Sequence, residues 1–126
     1  MIAGIGVDLA TVSRIASAHK RFGERFAKRF LHEKELPSYE AHQNQNQFLA
    51  KRFAVKEAAV KALGTGERTG VLLKDFYLEH DELGKPLLKV SGQAQLRCDK
   101  LGIRSFWVSL SDEGDTVAAF VVLERS

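Results

Sequence analysis

The chain has 126 residues, 44% of them hydrophobic and 28% charged, with a formal net charge of +3 at pH 7. That balance is of an ordinary globular domain, long enough to bury most of its unfolded surface, and it excludes a disordered or low-complexity chain. A lone Cys98 excludes an internal disulfide and fits a reducing compartment, and no histidine pair has zinc-ligand spacing.

Residues 2–9, IAGIGVDL, read as a buried strand ending at Asp8. Gly4 and Gly6 leave room for a second backbone or a ligand to come close. The stretch has no basic leader and Asp8 interrupts it, so it reads as neither secretory signal nor membrane span. Alone, Asp8 reads first as a cap or turn former for the helix that follows.

Residues 11–30 read as helical, broken at Gly23, with Val12, Ile15, Ala16, Phe22, Phe26 and Phe30 inward. Against one acid, Glu24, they carry Arg14, Lys20, Arg21, Arg25, Lys28 and Arg29. Such a face suits an acidic partner, although a solvated helix or an RNA-binding face has the same composition. No RNP, KH or aromatic stacking pattern accompanies it. Residues 31–41 read as a broken helical segment around Pro37, and HQNQNQ, residues 42–47, as a loop.

The strongest helix follows, ending FLAKRFAVKEAAVKALGTG at Gly66. Phe48, Leu49, Ala50, Phe53, Ala54, Ala58, Ala62 and Leu63 keep an apolar side, and Gly64 supplies the stop. Glu57 and Lys61 share a face at i,i+4, a spacing that by itself describes any surface salt bridge. Arg52 and Lys56 repeat the spacing with like charge, which requires an anion nearby or plain solvation.

Beyond it, residues 76–80 and 86–90 predict a hairpin, with Pro86 first in its strand, where its missing N–H is harmless. Ser91 is placed to cap a helix running to about residue 101, with Ala94, Leu96 and Leu101 inward and Cys98 on an exposed flank. Residues 105–111 and 116–123 alternate as strands joined by a turn over 112–115. The reading is one α+β domain, residues 1–126, with antiparallel strands and one long central helix.

As a string, Phe53 to Gly66 resembles the signature F-A-x-K-E-A-x-x-K-A-L-G-T-G of the short-chain 4′-phosphopantetheinyl transferases, the holo-[acyl-carrier-protein] synthases. Gly6-Val7-Asp8 matches that family's N-terminal G-x-D. The resemblance implies transfer of 4′-phosphopantetheine from coenzyme A to a serine of acyl carrier protein, releasing 3′,5′-ADP, in the cytoplasm and in fatty acid biosynthesis. It implies Mg²⁺ held by Asp8 and Glu57, with Lys61 facing the pyrophosphate. The base for the serine stays open between Glu57, Asp8 and a water held by the metal.

Coenzyme A contacts are implied for Arg52, Lys56, Lys61, Gly64, Thr65 and Gly66. The family's homotrimer implies Lys85, Pro86, Ser109 and Ser111 from a neighbouring chain. Arg14, Arg21 and Arg25 are implied to dock the carrier, with no role for nucleic acid or membrane. One departure stands out. Where the family has S-[IL]-S-H, this chain has Ser109-Leu110-Ser111-Asp112, and Asp112 reads as a turn residue. The competing class is a non-catalytic basic module that binds RNA or an acidic protein.

Overall fold

The computed structural model describes residues 1–64 and 69–126. Strand β5 (Thr116–Arg125) lies between β1 (Ile2–Thr11) and β4 (Ile103–Glu113) in an antiparallel sheet of order β1–β5–β4. Alternation sets two faces. Val117, Ala119, Val121 and Leu123 of β5 are buried under helix α4 (Gln45–Leu63), while Phe120 points outward. A second hairpin, β2 (Phe76–His80) with β3 (Pro86–Val90), stands apart from this sheet. Helices α1 (Val12–Phe22), α2 (Glu24–Phe30), α3 (Leu36–Ala41) and α5 (Gly92–Leu101) complete the α+β architecture, with short 3₁₀ turns at Glu33–Glu35 and Leu73–Asp75.

The long helix starts earlier than the sequence suggests. Asn44 accepts from the backbone N–H of Gln47 at 3.2 Å and caps it, so much of the expected 42–47 loop is helical. Gly64, at φ 75°, ends it with its N–H shared between the carbonyls of Val60 and Lys61. Strand β1 likewise runs past Asp8 to Thr11.

Three packing expectations are corrected. In α5, Ala94, Cys98 and Leu101 share one face, so Cys98 is fully buried and Leu96 is exposed. Phe22, the last residue of α1, stays exposed, with the Arg21 guanidinium over its ring. Ser91 does not cap α5 through its side chain. Its hydroxyl donates to the Asp75 carbonyl, and the Asp75 carboxylate accepts from the N–H of Ala94.

The turn between β4 and β5 is only Gly114–Asp115, because Glu113 pairs with Thr116. Gly114 takes φ 58°, which a tight two-residue hairpin requires. Asp112 is therefore a strand residue opposite Val117, not a turn residue. Its carboxylate faces α4, accepting from Gln47 Nε2 and lying 3.4 Å from Lys51 Nζ.

Candidate active site

The site is built where α4 crosses β1 at backbone distance. A Cβ added at Gly4 would lie 1.8 Å from the carbonyl oxygen of Ala62, and one at Gly6 1.9 Å from that of Ala58. Only glycine lets the helix sit so low. Asp8, two residues on, shares the glycines' face of the strand and so points toward the helix rather than away from it.

Lys61 meets it. The ammonium donates to Asp8 Oδ1 at 2.9 Å and to the Val7 carbonyl at 3.3 Å. The hydrogen bond and charge of Asp8 raise the Lys61 pKa, and Glu57 adds to the rise. One ammonium is thus held in the field of both carboxylates, with Asp8 and Glu57 half-buried and Lys61 open to solvent. Asp8 is no helix cap, since the N-terminus of α1 is bound by Asp115 instead. That carboxylate accepts from the N–H and hydroxyl of Ser13, and its carbonyl from the N–H of Val12.

On another side of α4 sits a group the sequence reading missed. Glu35 is 2% exposed, and its oxygens accept from Lys56 Nζ at 2.6 Å and from the N–H groups of His32 and Leu78. Arg52 Nε lies 3.0 Å from it as an ion pair whose N–H is not aligned for a hydrogen bond. Burial pulls the Lys56 pKa down, against the opposing pull of Glu35, and does the same to Arg52. The two like-charged residues of α4 are therefore not solvated: their anion is internal. Lys56, 1% exposed, has its ammonium committed to Glu35 and the Phe76 carbonyl rather than open to a ligand at the surface. The signal was present in the sequence as two cations four apart on an alanine-rich helix.

The remaining expected residues fall in separate places. Gly64 adjoins Lys61 at the open end of α4, while Thr65 and Gly66 lie outside the described residues. Lys85 is exposed, its ammonium 5.5 Å above the Trp107 ring, and Pro86 begins β3. Ser109 and Ser111 pair with Phe120 and Ala118 on the outward face of the sheet, opposite to the face that carries Asp8. Within one chain, the sheet separates these serines from Asp8. Arg14, Arg21 and Arg25 are exposed on α1 and α2, and none makes an ion pair among the described residues.

The outward face carries Ile5, Val7, Leu9, Trp107 and Phe120, each 44–66% exposed. Their registers place Val7 beside Phe120 and Ile5 beside Val122, which in turn adjoins Trp107. It is a continuous apolar strip open to water.

Asp8 and Glu57 fit a hard divalent cation. They offer oxygen donors only, and no cluster of three or more His, Cys, Asp or Glu occurs among the described residues, so any such cation would take most of its ligands from water and substrate. Two carboxylates leave the other ligand positions to water and phosphate, as suits Mg²⁺. The described residues thus present two carboxylates and one ammonium where a helix crosses a glycine strand.

Comparison with known proteins agrees. Residues 4–121 match the family model of the 4′-phosphopantetheinyl transferase superfamily, and the chain belongs to that family. It is 50% identical over 125 residues to a holo-[acyl-carrier-protein] synthase of Vibrio cholerae, covering 99% of both chains. The crystal structure of the holo-[acyl-carrier-protein] synthase of Neisseria meningitidis superposes with a TM-score of 0.93 at 42% identity, over 99% of this chain and 100% of that one. That of Bacillus anthracis, in complex with CoA (3′,5′-ADP), gives 0.81 at 34% identity, over 100% and 99%.

Proposed function

We propose that this chain transfers 4′-phosphopantetheine from coenzyme A to a serine hydroxyl of acyl carrier protein, converting apo- to holo-carrier for fatty acid biosynthesis. The observation that carries this reading is the meeting of Asp8 with Lys61, on whose ammonium Glu57 also acts, where the family signature crosses the glycine strand. The bond from the serine oxygen to the β-phosphorus forms as the bond to 3′,5′-ADP breaks. Such a displacement needs alignment and charge neutralisation more than covalent help.

Asp8 and Glu57 would hold Mg²⁺, which when bound neutralises pyrophosphate charge. Lys61, already oriented by Asp8, presents a cation to the same phosphates. Gly64 lets the chain turn sharply past the nucleotide. Arg52, with its guanidinium over the Phe48 ring, borders a pocket with Lys51 and His80 suited to a further phosphate.

The working form is a trimer whose sites lie between chains. The apolar outward strip supports this, since contiguous apolar surface of this kind marks an interface. The placement of Ser109 and Ser111 behind the sheet from Asp8 supports it too, because a neighbour's copy can reach where the chain's own cannot. Arg14, Arg21 and Arg25 provide an unneutralised basic face for the acidic carrier. No helix among the described residues is long and apolar enough to cross a membrane; the proposed place of work is the cytoplasm.

Release of 3′,5′-ADP from coenzyme A, dependent on both apo-carrier and Mg²⁺, tests the reading directly. A preparation that binds carrier or RNA and releases no 3′,5′-ADP would sink it.

A further inference from the structure

We propose that Glu35 and Lys56 are positioning residues for the reaction: their buried ion pair sets the rotation of α4 that presents Glu57 and Lys61 to the site. The inference rests on the proposed function, which makes Glu57 a site carboxylate.

Lys56 precedes Glu57, yet the two point different ways. At about 100° per residue, α4 divides into three rows roughly 120° apart. Ala58 and Ala62 lie on the glycines of β1, Arg52 and Lys56 reach Glu35, and Glu57 with Lys61 occupies the remaining third. The first row is backbone against backbone. The second is a charged cluster in which one carboxylate takes two cations of α4 and the N–H groups of His32 and Leu78. Lys56 also donates to the carbonyl of Phe76. The 3₁₀ turn, β2 and α4 are thereby fixed to one another.

The helix has need of such a fixture. Five of its eleven buried residues are alanines, Ala50, Ala54, Ala58, Ala59 and Ala62, and buried side chains occur nearly all round it. The alanines add little preference for one rotation over another, which leaves it to the glycine crossing, the few large apolar side chains and the charged cluster. A buried ion pair contributes little net stability over apolar packing, but it selects a geometry, since breaking it strands a charge. The effect on the site is large. A 20° rotation would move a side chain at the helix surface by roughly 2 Å. Misplacements of about 1 Å cost on the order of 10²-fold in rate.

Lys56→Met keeps the volume and removes the charge. Glu35→Asp keeps the charge and withdraws it by about 1.5 Å. Each full-length variant is assayed well below its own Tm, for kcat, for KM toward coenzyme A, and for Mn²⁺ affinity by calorimetry without nucleotide. The expected result is a kcat loss of about tenfold or more with KM within about twofold. Mn²⁺ affinity should fall about threefold or more, because Asp8 and Glu57 no longer converge. A fall in Tm alone, with kcat and Mn²⁺ affinity at wild-type values, would overturn the inference and leave the pair a structural one. Should Lys56→Met fail to fold, Glu35→Asp decides. Glu57→Gln run in parallel separates the two levels. If it retains the wild-type rate, the proposed function fails at Glu57. If it is inactive while both other variants are unimpaired, only the positioning role falls.

Discussion

Lys61 Nζ lies 2.9 Å from Asp8 Oδ1 across 53 residues of sequence, joining the end of the signature helix to the first strand. With Glu57 acting on the same ammonium, the two carboxylates share one cation, so removing either gives up an attraction and is not expected to raise stability. Asp8→Asn and Glu57→Gln should each lower the transfer rate by at least about 10²-fold with Tm within a few degrees of wild type. Lys61→Met should instead tighten divalent binding in the nucleotide-free protein while weakening coenzyme A, a pair of opposite changes that simple misfolding does not give. Calorimetric titrations of Mn²⁺ and of coenzyme A check both.

Gly6→Ala tests the close crossing. The added methyl group would meet the Ala58 carbonyl at 1.9 Å, against backbone that has no side-chain freedom with which to yield. Overpacking of this sort costs about 1–3 kcal/mol or more. Thermal melts should show the loss, and the residual folded protein should transfer poorly because α4 is lifted from Asp8. A variant with wild-type Tm would contradict the described crossing.

The basic face separates carrier from nucleotide. Arg14→Glu with Arg21→Glu should raise KM for the carrier and reduce its salt dependence, with KM for coenzyme A held. Equal loss for both substrates would place these arginines in the nucleotide pocket or the core.

Shared sites make a quantitative prediction. A Glu57→Ala chain and a chain carrying Lys85→Ala with Pro86→Ala should each be poor alone, the second shown so as a pure oligomer. In a cyclic trimer every interface pairs unlike patches, so random mixing gives an intact pairing at about one site in four. Activity near that fraction in verified mixed trimers supports the arrangement, and none would favour a site within one chain. Val7→Lys, on the apolar outward strip, should give monomers by light scattering.

His80 gives a pH signature. Partial desolvation holds its pKa below 6.5 although much of the ring is exposed, with the charges of Arg52 and Lys51 adding to the effect and Asp81 opposing it, so the signature is a small one. The folded state then binds the proton less readily than the unfolded one, so this group's contribution to stability is lost as pH falls below 6.5 and is complete above it. His80→Gln should flatten that part of a Tm-versus-pH curve. An unchanged slope would mean that other groups set it.

Much was legible in the chain because it depends on local periodicity and turn chemistry. The α+β class, the long helix stopped at Gly64, the β2–β3 hairpin and the strand pair at the end all follow from spacing over a few residues. The signature and Gly6-Val7-Asp8 likewise pointed to the right family, because both strings are contiguous. Leu96 and Cys98 were misread where facing depended on which side of a short helix the rest of the chain covers.

The sequence by itself determined the elements, the family and the identity of the charged groups on α4. Only the tertiary structure decided what each charge faces. Lys56 and Lys61 are lysines five residues apart on one helix, and their local spacings, one to a cation and one to an acid, do not say which is buried or on what. One is buried on Glu35 and the other is exposed on Asp8, because elements distant in sequence place a different carboxylate at each side of the helix. A charge acquires its role from the dielectric and the counter-charge around it, and both are supplied by parts of the chain that meet only on folding.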